Sequence, residues 1–67
     1  RRRETLENLA KNISYKVKRT RKPISLEPMN PYERRIIHSA LQNDKYVYTK
    51  SEGEEPYRHV IVCLKRQ

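Results

Sequence analysis

Apolar residues recur along the first part of the chain at Leu6, Leu9, Ala10, Ile13 and Val17. At about 100° per residue they fall within an arc of roughly 100°, the single stripe of an amphipathic helix. Glu7 precedes Lys11 by one turn, the favourable order for an ion pair along a helix. Lys16, Lys18, Arg19, Arg21 and Lys22 follow, and cations suit a helix C-terminus, where the macrodipole is negative. Pro23 biases Lys22 out of the helical region, so the helix is expected to end by then. Ile24 to Glu27 then alternate apolar and polar as a short strand does, and the flanking Pro23 and Pro28 place it at a sheet edge.

A second helix follows a brief connector. Asn30 is a good cap, Pro31 suits the first helical position, and Glu33 can close a capping box from the third. Ile37, Ala40 and Leu41 form its buried stripe, with Ile36 at the edge, and the pattern runs to about Gln42. Residues 46–51 and 56–64 are rich in Tyr, Val and Ile and read as two strands. A short polar loop joins them, with Gly53 supplying a positive φ, so the pair is an antiparallel hairpin. Alternation puts Val47 and Thr49 with Arg58, Val60, Val62 and Leu64 on one face. Tyr46, Tyr48 and Lys50 share the other with Tyr57, His59, Ile61 and Cys63. The first set is the more aliphatic and is expected to meet the helices, leaving an open aromatic and basic face. The order α-β-α-β-β predicts an α/β (α+β) fold, a small three-stranded sheet with two helices on one face.

Length and composition narrow the partners more than the fold. The 67 residues suffice for one small domain, 1–67, divided into an N-terminal helix with a basic end (1–22) and a β-α-β-β core (23–67). With 34% hydrophobic and 36% charged residues the core is thin. The chain starts at Arg1 rather than Met, and is expected to be a fragment of a longer protein. Its net charge of +8 favours a polyanion: nucleic acid, acidic lipid or an acidic protein surface. The longest apolar run, Val60 to Leu64, is far short of the ~20 residues that span a bilayer. No apolar segment follows the opening arginines, so no export signal is expected. A single cysteine, Cys63, excludes an internal disulfide and points to a reducing, cytoplasmic setting.

Candidate chemistry centres on Arg34 and His38, which lie one helical turn apart beside the buried stripe. Arginine presents a planar fork of donors suited to phosphate, and imidazole can stack on a base or hydrogen-bond. The competing interpretation is that Arg34 pairs with an acid of the Glu52–Glu55 loop and that His38 is an ordinary boundary residue. Spacing alone leaves both open. His59 and Cys63 stand about 13 Å apart along a strand, too far to share one ion, so no metal is expected. Ser39 points to a different helix face from His38, and one glycine cannot build a P-loop. No catalysis, cofactor or small-molecule substrate is expected.

An arginine, three residues and a histidine on a helix form the signature of R3H domains. "LEPMNPYERRIIHSALQ" followed by "TKSEGEEPYRHVIV" resembles the R3H domain of the bacterial Jag (KhpB) family, and "RRRETL" resembles the helix leading into it. The resemblance covers nearly the whole chain. It implies a domain that binds single-stranded RNA or DNA, within a parent protein that also carries a KH domain and an N-terminal Jag domain. Neither lies in this chain, which lacks a Gly-x-x-Gly loop. Carried over by position, the resemblance makes Arg34 and His38 the signature pair and Thr49, Ser51 and Arg58 their companions. Arg34 is expected to anchor a phosphate, its head reaching water, while His38 orients or stacks. Arg35 points further out. Arg58 is expected at the rim of the sheet, either beside the signature pair or holding the acidic loop. With Lys16, Lys18, Arg19, Arg21 and Lys22 it is expected to extend the contact. The rival expectation is an interaction module whose tyrosine face docks a protein or whose charge meets a membrane surface.

Overall fold

A computed structural model describes residues 2–65; Arg1 of the opening triplet lies outside the described residues, as do 66 and 67. The elements are α1 (Arg2–Thr20), β1 (Ile24–Ser25), α2 (Pro31–Leu41), β2 (Val47–Glu52) and β3 (His59–Leu64). The sheet is antiparallel in the order β1-β3-β2, so both β1 and β2 are edges. Two helices cover one face, as the pattern predicts, and the core lies between. Among the described residues no helix is long and apolar enough to cross a membrane.

The stripe of α1 buries Leu6, Ala10, Ser14 and Val17, with Leu9 and Ile13 packed at its flanks. Ser14 breaks the apolar pattern because its hydroxyl has a partner, donating to Asp44 Oδ2 at 3.4 Å. The helix ends as Arg21 turns left-handed, with φ +62°, while its N–H still donates to the Val17 carbonyl at 2.7 Å. The start of α2 carries the full capping box: the Asn30 side chain accepts from the Glu33 N–H at 2.8 Å, and Glu33 Oε1 accepts from the Asn30 N–H at 3.2 Å.

Polar contacts at both ends align the helices. Arg2 Nε donates to Glu33 Oε2 at 3.0 Å, joining the start of α1 to the start of α2. Beyond the end of α2, Asp44 accepts from Lys18 Nζ at 2.9 Å and from the Tyr46 N–H at 2.7 Å. Burial raises the Asp44 pKa, but the Tyr46 N–H and Lys18 outweigh it and leave the carboxyl below its ordinary range. The two helices therefore run side by side in the same direction.

Strand register bears out the two faces. Val47↔Leu64, Thr49↔Val62 and Ser51↔Val60 point toward the helices, whereas Tyr48↔Cys63, Lys50↔Ile61 and Glu52↔His59 point away. Three expectations need correction. β1 is only two residues long, although the Leu26 N–H still reaches the Val60 carbonyl at 2.9 Å. β3 starts at His59 rather than 56, because Pro56 has no N–H and the Tyr57 N–H closes a turn onto Glu54 O at 2.7 Å. Cys63 lies on the outer face yet is buried, a small side chain on the central strand beside Tyr48. Gly53 does take positive φ, at +92°, in the loop before that turn.

Candidate nucleic-acid interface

Arg34 stands in the first turns of α2, directly below the 53–58 loop. It is 8% exposed, so the expectation of a half-shielded side chain whose head reaches water is corrected. Its Nη1 donates to the Met29 carbonyl and, at 3.3 Å, to Glu55 Oε1; its Nη2 donates to Glu55 Oε2 at 2.6 Å. The pairing with the acidic loop is thus present, as a two-pronged clamp between α2 and the hairpin turn. Glu55 itself stays half exposed, and the hydrogen bond from Arg34 holds its carboxyl below the usual range. Bonds to described residues use three of the five guanidinium N–H donors.

One turn on, His38 reaches across to β2. Its Nδ1 meets Thr49 Oγ1, and its Nε2 lies 3.0 Å from Ser51 Oγ. Burial, and then the positive charge of Arg34, lower its pKa, so the imidazole is neutral at pH 7. A neutral ring donates through one nitrogen and accepts through the other. The hydroxyl that accepts from the ring keeps its own proton to donate elsewhere. His38 thereby fixes two hydroxyls on the rim of the sheet.

The depressed pKa has a sign that can be tested. Unfolded His38 titrates near its ordinary 6.5, and the folded residue binds a proton only at lower pH. The unfolded state therefore gains protons first as pH falls, and stability is lost from about pH 6.5 down toward the folded pKa. The lowered carboxyls of Glu33, Asp44 and Glu55 act in a separate window, below their ordinary values of 3.8 to 4.5. Urea midpoints measured from about pH 7.5 to about pH 5 are expected to fall for the natural chain and to flatten for His38→Gln. Equal slopes for the two proteins would remove this role for His38.

Arg58 closes the hairpin turn from within, donating through Nη1 to Gly53 O at 2.7 Å and through Nη2 to Ser51 O at 3.3 Å. It is half-buried and lines the same depression as the signature pair. Arg34, Arg35, His38 and Arg58 converge on one open depression of about 380 Å³, together with Pro31, Ser39, Gln42 and Ser51. Arg35 is exposed. Ser39 and Gln42 were not legible as site residues; their only signal is a position on the same side of α2 as Arg35.

The chain matches the family model for the R3H domain over residues 4–64. It belongs to the R3H family. Its relatives include the RNA-binding protein KhpB of Clostridium symbiosum, 78% identical over all 67 residues, which make up 30% of that protein. The RNA-binding protein KhpB of Bacillus subtilis (strain 168) is 42% identical over 97% of the chain and 32% of its own length. That of Lactiplantibacillus plantarum is 41% identical over 98% of the chain and 20% of its own length. The chain spans about a third or less of the curated relatives it matches.

In this R3H domain the basic run is not part of the same depression. Lys18 is tied to Asp44 and lies 5.6 Å from the Tyr46 ring centre, and Arg19 lies 5.9 Å from that of Tyr15. Leu41, the last residue of α2, follows Arg34 by about 10 Å of helix rise, and Asp44 lies beyond that end. The run therefore sits beyond the far end of α2, with Lys16, Arg19, Arg21 and Lys22 exposed there. It can extend a contact only around the domain, not within the concavity.

Proposed function

We propose that the domain binds single-stranded RNA in the depression between α2 and the hairpin turn, as a binding module without turnover. The observation that carries this is the convergence of Arg34, Arg35, His38 and Arg58 on one open concavity. A net charge of +8 and relatives named as RNA-binding proteins support the same reading. Neither family nor relatives favour a protein- or membrane-docking tyrosine face. Arg35 and Arg58 neutralise phosphates at the rim. Arg34 supplies a positive floor that a phosphate reaches only in competition with Glu55. His38 acts by presenting hydroxyls, of which Ser51 faces the depression. Lys16, Lys18, Arg19 and Lys22 add attraction at longer range, which salt screens. The domain acts within a longer cytoplasmic protein, with a KH domain as a neighbour of the kind the Jag resemblance implies.

Arg35 gives the cleanest test, because it is exposed and has no internal hydrogen bond among the described residues. Titrating labelled single-stranded RNA at several salt concentrations should show weaker binding by Arg35→Gln. The slope of log affinity against log salt should fall by ~0.7, the value for one phosphate on a single strand. The unfolding midpoint should not move. An unchanged slope would remove the rim of the depression from the interface.

A further inference from the structure

The sheet face turned away from the helices carries a second concavity, larger than the first at about 680 Å³. Arg21, Lys50 and Lys65 line it together with Tyr48, and no carboxylate is among its described lining. Tyr48 is 45% exposed on the open face of β2. Lys65 is held in place, its Nζ donating to the Asp44 carbonyl at 2.8 Å, while Lys50 pairs with the exposed Glu52 at 3.2 Å. Three cations around one exposed ring match the two needs of a single strand, charge for the backbone and a π-face for a base.

Arg21 adds a separate observation. It closes α1 in the left-handed region, at φ +62°, a place where glycine is the ordinary residue. A β-carbon there is disfavoured, so stability alone would choose glycine. The arginine instead carries a long cationic side chain onto the edge of the outer concavity. Topology links the two surfaces. β2 is an edge strand, and its successive residues alternate between them. Ser51 lines the depression beside α2, whereas Lys50 and Tyr48 line the outer face. Nothing in the sheet stands outside β2 to separate them.

We propose that the outer sheet face is a second single-stranded RNA subsite, with a base stacked on Tyr48 and phosphates on Arg21, Lys50 and Lys65. One strand occupies both subsites by passing around the β2 edge. This rests on the reading of RNA as the ligand. The probe is a labelled oligouridine roughly twelve nucleotides long, within the range of small single-strand binders. Arg21→Gly should raise the urea midpoint and yet weaken RNA binding, lowering the salt slope by ~0.7. Tyr48→Leu should weaken binding by about tenfold through lost stacking. Because the glycine variant is expected to be the more stable protein, its loss of affinity cannot come from unfolding. If both variants bind as the natural chain does while Arg35→Gln is weakened, the outer subsite is wrong and the depression stands. If none of the three is weakened, both are wrong.

Discussion

Arg34→Lys is expected to lose both stability and RNA affinity nearly as fully as Arg34→Ala, although it keeps the charge. The reason is the shape of the group. The guanidinium spans three acceptor atoms at once, the Met29 carbonyl and both oxygens of Glu55. An ammonium is a point charge on a flexible stem and cannot reproduce that fork. Losing the charge-assisted bond to the Met29 carbonyl alone costs about 1.5–3 kcal/mol. The whole domain holds only about 0.05–0.15 kcal/mol per residue, so this is a large share. The 53–58 turn would lose its tie to α2, and Arg58 would leave the rim with it. Urea unfolding followed by circular dichroism, with RNA titration of the folded fraction, measures both effects. A lysine variant with natural stability and affinity would show that geometry is irrelevant and charge suffices.

Glu55→Gln is expected to act in the opposite direction on binding. Glu55 places a carboxylate on the guanidinium in the same two-pronged manner a phosphate would use. It is the one acid directly paired to the floor of the depression among the described residues. The amide keeps an acceptor for Arg34 but removes the negative charge, so a phosphate no longer has to displace an anion. Affinity for single-stranded RNA should rise, and the salt slope should steepen by ~0.7 if Arg34 then takes a phosphate. Weaker or unchanged binding would mean that Arg34 is a strut for the turn and not a ligand. The pair of variants thus separates the two roles this arginine combines.

What could be read in the sequence follows from how local each signal is. The α2 cap was legible because Asn30, Pro31 and Glu33 meet one another within a single turn. The hairpin faces were legible because alternation and one glycine fix them. Arg34's burial was not, since it depends on Glu55, twenty-one residues later, folding back over α2. The link from Ser14 to Asp44 was hidden for the same reason, being a tertiary bond across thirty residues. Helical spacing likewise says nothing of how two helices sit together, so the place of the basic run, beyond the C-terminal end of α2 and outside the depression, was not legible. The resemblance supplied what local chemistry could not: Thr49 and Ser51 as companions of His38, both now at its ring nitrogens.

Chemical-shift mapping of the isotope-labelled domain with a short single-stranded RNA tests the central claim most directly, because it reports the surface without mutating it. The account predicts saturable shifts concentrated on Arg34, Arg35, His38, Ser39, Ser51 and Arg58, weakening as salt is raised. Saturable shifts that leave all six untouched, or binding that does not respond to salt, would contradict it.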